Sequence, residues 1–175
     1  NGTTITGGTT VVPSLPPSVG LTLQFYDNIS ALNSTNATNI NTVESGVEST
    51  TPTSTSIASD VSVASIGVDD AYRYTGYIHL DAGQTYTIAG YRDDTLMVKI
   101  GGSSVYAVGY NNWGNLTGST FTPEVSGYYS LEVIAYNGDG PGSLALSMSV
   151  NGGTALDLNT TNFNLYRDTS TFGGT

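Results

Sequence analysis

The sequence contains no cysteine, only 4 lysines and arginines together, and 1 histidine. Each shortage removes a class of function. Without cysteine there are no disulfides and no thiolate metal sites. Small secreted eukaryotic domains usually carry disulfides, so the absence leans towards a bacterial or a cytosolic protein. The lone His79 alternates between Ile78 and Leu80 in a strand-like run, where a surface or hydrogen-bonded sheet position explains it. Zinc sites and Cys or Ser–His–Asp catalysis therefore have little support. Against 14 acidic residues the few basic ones leave a formal net charge of −10. Such a chain repels phosphate backbones and anionic lipid surfaces, which excludes nucleic acid and direct membrane insertion as partners, and it favours cations. No apolar run is long enough to span a membrane, no secretory signal is present, and long helix-forming stretches are missing.

What remains is a chain of 175 residues with 12 tyrosines and 22 glycines, its polar work done by Thr, Ser and Asn. The length suits one domain with a real core, and the composition suits an all-β fold. Residues 1–20, ending in "VVPSLPPSVG", read as a linker or flanking segment. Residues 21–166 read as the domain, and 167–175 as a tail of a module within a longer chain. Asn-x-Ser/Thr triplets begin at Asn1, Asn28, Asn33, Asn36, Asn115 and Asn159, as expected by chance in such a composition.

The run "LTLQFYDN" (21–28) predicts a strand, while 29–65 reads as loops and short edge strands. Further strands are expected at 72–80, 85–91, 95–100, 103–110, 128–136, led into by "STFTPEVSG" (119–127), and 143–150, with a closing segment through "FNLY" (163–166). Gly101-Gly102 and Asn151-Gly152 are hairpin signals, and "NNWGNLTG" (111–118) reads as a loop. Strands at this spacing predict an antiparallel β-sandwich or barrel with long surface loops.

One turn stands out. "AGYRDDTLMVKIGG" puts Asp93 beside Asp94, with only Arg92 near in sequence to offset them. A plain turn explains the pair, because Asp bonds nearby backbone amides. Adjacent carboxylates repel, however, unless a cation or an array of donors relieves them. The Gly-dense loop "NGDGPG" (137–142) offers Asn137, Asp139 and free carbonyls, and hard cations such as Ca²⁺ take six to eight oxygens of these kinds. If both loops meet at one end of a sandwich, they supply that shell.

The order of these motifs resembles the PA14 domain over most of the chain. "GLTLQFYDN" is similar to that family's first strand, and "YTGYIHLDAGQTYTIAGYRDDTLMVKIGG" to its central block with an Asp-Asp turn. "SGYYSLEVIAYNGDGPGSLALSM" is similar to its closing strand pair. In the lectin-like branch, paired aspartates joined by a cis peptide bind one Ca²⁺, which binds sugar hydroxyls. The resemblance therefore implies that Asp93 and Asp94 are the carboxylate pair and Asn137 a side-chain ligand. Oxygens of Asp139 and the Pro141 carbonyl complete the metal set, and Gly140 joins Asp93, Asp94, Asn137 and Asp139 around the sugar. Yeast flocculin-type members have disulfides and a Trp in the second loop, and this chain has neither. The module looks more like those of large bacterial RTX-type adhesins, which implies a monomeric, cell-surface, glycan-binding module acting in cell adhesion and biofilm formation. The sugar preference does not carry over. A structural spacer rigidified by Ca²⁺ and a peptide-binding module are the alternatives.

Other residues compete for attention. Trp113 either packs beneath its own loop, the plainer reading, or lines the pocket and stacks on a sugar face. Tyr106 and Tyr110 read as sheet positions, and tyrosines 72, 74, 77, 86, 128 and 129 as sandwich packing with solvated hydroxyls. Asp69-Asp70 is a second acidic pair, read as a solvated loop end ahead of a second cation site. Adjacent carboxylates in one turn cannot flank a glycosidic bond at the separation of about 5–9.5 Å that glycosidases use, so an enzyme is not expected.

Overall fold

The structure, a computed structural model, describes residues 3–5, 18–116 and 119–167. Its strands are β1 (Thr3–Ile5), β2 (Leu21–Tyr26), β3 (Ser54–Ala58), β4 (Ser62–Ile66), β5 (Ala71–Leu80), β6 (Tyr86–Asp93) and β7 (Thr95–Ile100). They continue with β8 (Ser103–Val108), β9 (Trp113–Asn115), β10 (Ser119–Pro123), β11 (Gly127–Tyr136), β12 (Gly142–Val150), β13 (Leu156–Asp157) and β14 (Leu165–Tyr166). One helix, α1 (Ile40–Glu48), follows a 3-10 turn at Asn36–Thr38.

The strands form two facing sheets, as the alternation of apolar and polar residues predicts. The first runs β1-β10-β6-β12-β13, with β9 also on β6 and β4 also on β12; the second runs β3-β2-β5-β11-β7-β8, with β14 on β5. β1 and β10 run parallel and the other pairs antiparallel. Inward residues such as Ile78, Ile88, Val98, Phe121, Leu131, Val133, Leu146 and Met148 interleave as one core between the sheets. This is the all-β sandwich expected from the sequence.

Two departures matter for function. The excursion 29–65, read as loops and edge strands, contains α1. Asn39 caps it by accepting from the Asn41 N–H at 3.0 Å, and Val43 and Val47 turn one face inward. That face covers the outside of the second sheet in a separate apolar cluster with Tyr26, Leu32, Met97, Ile134 and Tyr136. Hence β7 and the end of β11 are buried on both faces instead of alternating. Second, the expected loop 111–118 contains β9, which pairs with β6.

Within the segment expected to be a linker, Thr3–Ile5 contributes β1 and Ile5 is part of the core. The remainder at 6–17, and most of the expected tail at 168–175, lie outside the described residues. The tyrosine hydroxyls expected to be solvated are in part bonded to the backbone. Tyr74 donates to the Ser62 carbonyl at 3.4 Å, Tyr129 to that of Val125 at 2.6 Å, and Tyr86 accepts from the Asp81 N–H at 2.9 Å.

Candidate functional site

Strand register brings the two acidic loops together. β6 ends at Asp93 in one sheet and β7 begins at Thr95 in the other, so Asp94 alone bridges the gap between sheets. β11 and β12 make the same crossing through residues 137–141. Thr95 pairs with Tyr136 and Asp93 with Ser143, so the crossings lie side by side at one end of the sandwich. The peptide bond between Asp93 and Asp94 is cis.

At this junction buried polar atoms lack donors. Asp94 is 4% exposed and Asn137 0%. The Asn137 amide is fixed by its nitrogen, which donates to the Ile66 and Gly140 carbonyls, each at 2.8 Å. Its Oδ1 is thereby forced to face the other way, buried and without a donor. The backbone N–H groups of Gly138 and Asp139 temper the charge of Asp94, yet its Oδ2 is also buried without a donor. Burial first, and then the charge of Asp93, push the Asp94 carboxyl up to about 6. Arg92 does not relieve the pair. Its guanidinium donates to the Gly114 and Asn115 carbonyls and lies 5.5 Å from the centre of the Tyr106 ring. Among the described residues it forms no ion pair with either aspartate.

The second acidic pair supports the first. Asp69 and Asp70, expected at a solvated loop end, are bonded into the base of the site. Asp69 N donates to the Asn137 carbonyl at 2.7 Å and Asn137 N to the Asp70 carbonyl at 3.1 Å. The Tyr136 hydroxyl donates to Asp69 Oδ1 at 2.6 Å, and Asn28 N to Asp70 Oδ1 at 2.9 Å. With one oxygen of each carboxylate so engaged and their backbones bonded to Asn137, these residues hold the second loop in place.

A cleft of about 340 Å³ opens above the junction, lined by Asp93, Asp94, Tyr110, Asn111, Trp113, Asp139, Gly140 and Pro141. The predicted residues thus converge, except that Asn137 lies beneath the cleft and not on its wall. Trp113 does not pack under its loop; it is 63% exposed on β9, directly opposite Asp93. Tyr110, read as a sheet position, lies beyond β8 and forms a wall of the cleft. Its N–H donates to the Ala37 carbonyl at 2.8 Å, and Gly138 packs so closely on its ring that an added Cβ would sit 2.6 Å from Cδ2. Sequence reasoning missed Tyr110 and Asn111 because their placement depends on the unforeseen segment before α1. The left-handed backbone of Asn111, φ 68, lies in a region where Asn is over-represented and so left a faint signal.

The donor set fits a hard cation. It combines one half-buried and one buried carboxylate, an amide oxygen with no other donor, and further oxygens on Asp139, Gly140 and Pro141. Another acidic group, Glu44, Glu48 and Glu132, lies under the helix, but Arg73 and Lys99 already pair with it. His79 packs edge-on to Tyr128, with ring centres 5.1 Å apart.

No family model and no curated protein matches the chain. Solved structures do. A PA14 domain of the antifreeze protein MpAFP superposes with a TM-score of 0.72 at 23% identity, over 88% of this chain and 95% of that one. A PA14 sugar-binding domain from an RTX adhesin gives 0.72 at 20% identity, over 85% and 99%. The epithelial adhesin 9 A domain from Candida glabrata, in complex with Galβ1-3GlcNAc, gives 0.69 at 13% identity, over 96% and 97%. The fold is that of PA14 domains.

Proposed function

We propose that this PA14-type fold is a Ca²⁺-dependent carbohydrate-binding module of a bacterial surface adhesin, with residues 21–166 as the binding domain, β1 joining it from within segment 1–20, and 167–175 as a flanking segment. The observation that carries the reading is the pair of donorless buried oxygens, Asp94 Oδ2 and Asn137 Oδ1, on adjacent crossings beneath a cleft lined by the Asp93 carboxylate. Unrelieved, two such acceptors each cost about 1–3 kcal/mol. A cation relieves both at once and also offsets the repulsion between the aspartates. The sugar-binding RTX adhesin domain and the adhesin bound to Galβ1-3GlcNAc share the fold, which supports a glycan as the partner.

In this reading Asp93, Asp94 and Asn137 hold the cation with oxygens from Asp139 to Pro141. When bound, Ca²⁺ supplies open coordination positions for vicinal sugar hydroxyls. The protein's share is recognition without bond making. The carboxylates of Asp93 and Asp94 accept hydrogen bonds from the ligand's hydroxyls. Gly140, at φ 66, supplies the left-handed turn that carries the loop past the cleft, and Trp113 presents an apolar face to the ring. A shallow site for one sugar gives an affinity of roughly −4 to −6 kcal/mol, so adhesion and biofilm formation draw on many copies.

A glycan array probed with the domain at about 5 mM Ca²⁺, and again in EDTA, tests this. Signals for a related set of sugars that EDTA and the double substitution Asp93→Ala, Asp94→Ala both abolish are expected. A blank array together with a calcium-dependent rise in melting temperature would leave the junction as a structural clamp.

A further inference from the structure

The outer face of the first sheet continues the cleft. Directly opposed residues in a ladder share a face, as do alternate residues along a strand. On this face β9 contributes Trp113 and Asn115, β6 contributes Asp93 and Tyr91, and β12 contributes Ser143 and Ala145, because Asp93 pairs with Trp113 and Ser143 and Tyr91 with Asn115 and Ala145. Trp113 is 63% exposed and Tyr91 36%, and neither ring is in contact with another aromatic among the described residues. They stand at diagonal positions, about 7–8 Å apart at the backbone. Beside them the patch is made of small or polar residues, with Asp93 its one charge at the cleft end, and Ala145 and Asn115 are exposed. The inward neighbour Arg92 keeps its guanidinium on the carbonyls of Gly114 and Asn115, beneath the face.

We propose that this face is a second subsite, and that the ligand is an oligosaccharide whose terminal residue sits in the cleft while the next rings lie over Trp113 and Tyr91. The proposal rests on the carbohydrate reading of the cleft and extends it. Its chemistry is that of a sugar chain, which offers an apolar ring face for each aromatic and hydroxyls for an amide. Asn115, exposed between the two rings on the neighbouring strand, is placed to bond those hydroxyls. The edge strand β9 is only three residues long, Trp113–Asn115, and two of its carbonyls already accept from Arg92, so it offers an added protein segment little free backbone. Continuity with the cleft decides for the glycan, since Trp113 lines the cleft wall and begins the patch.

The test is an array of monosaccharides together with the disaccharides and trisaccharides that end in each, probed in Ca²⁺, with affinities for the responding set measured by calorimetry. Each ring is expected to contribute about threefold to tenfold. Oligosaccharides should therefore bind more tightly than their terminal monosaccharide. Tyr91→Ala should remove most of that gain while leaving monosaccharide affinity within about twofold, whereas Trp113→Ala, which also alters the cleft wall, should weaken monosaccharide and oligosaccharide alike. Both substitutions are at exposed positions, and unchanged melting curves will confirm that the fold persists. Oligosaccharides that bind no better than the monosaccharide, or a Tyr91→Ala variant that loses nothing, would overturn the second subsite and leave the cleft reading standing. Silence from every sugar in Ca²⁺ would overturn both.

Discussion

Asn137 has two tasks in one amide. Its nitrogen ties the second loop to Ile66 and Gly140, and its oxygen is presented without a donor. Asn137→Ala removes both, so chemical denaturation of the metal-free domain should show a loss of about 2 kcal/mol, and added calcium should no longer raise the melting temperature. Asn137→Asp separates the tasks, since it places a carboxylate oxygen against two carbonyls. It should cost more in EDTA than Asn137→Ala. Asp94 sets the pH response. Its carboxyl is raised from an ordinary 3.8 to about 6, so protonation favours the folded metal-free state. That contribution is fully present below about pH 4 and is lost as pH rises through about 6, amounting to about 3 kcal/mol at most. Melting in EDTA across this range should decline by that amount from this group, and Asp94→Asn should flatten the profile. A profile that Asp94→Asn leaves unaltered would remove the burial argument for this carboxyl.

Between single residues and the sandwich stand the short elements that hold the loops. The Tyr136 hydroxyl and Asp69 join the end of β11 to the turn before β5, and Tyr136→Phe should cost about 1.5–3 kcal/mol, read from the shift in urea midpoint. Gly138→Ala acts differently. Its Cβ would displace the Tyr110 ring, a wall of the cleft, so weaker ligand binding should accompany a modest stability loss of about 1–3 kcal/mol. The long strands β5, β11 and β12 were legible in the sequence because their alternation is long. The hairpin at Gly101-Gly102 was legible because both residues need positive φ, here 60 and 80. The helix α1 was not legible. Ile40, Val43 and Val47 do follow helical spacing behind the Asn39 cap, but only three apolar residues stand in a Ser/Thr/Asn background and they serve a separate small core. β9 escaped notice because a three-residue strand carries no period; it exists through its pairing with β6.

For the whole molecule, the site depends on two crossings between sheets that meet at one end. A cation held by both crossings joins the sheets, so saturating calcium should stabilise the domain by about 2.7 kcal/mol at a hundredfold excess over its dissociation constant. At this chain length that corresponds to a rise of about 5–10 °C, measurable by scanning fluorimetry. The candidate residues were legible from charge and spacing together with a likeness in motif order. The roles of Asp69, Asp70 and Tyr110 were not, because they arise from contacts between segments far apart in the chain.

One further property follows from where the backbone enters and leaves. Arg167 N donates to the Ser18 carbonyl and Gly20 N to the Leu165 carbonyl, so entry and exit run side by side in opposite directions. This pair lies against Gly76 and Tyr77, six residues along β5 from Ala71 at the site end, roughly 20 Å away. β1 docks on β10 at this same pole, where Phe121 faces Tyr86, so tension from the two ends loads its short ladder and those few bonds while the crossings at the far end stay outside the line of force. A grip that engages its ligand at one pole and yields at the other can give under strain without first letting go.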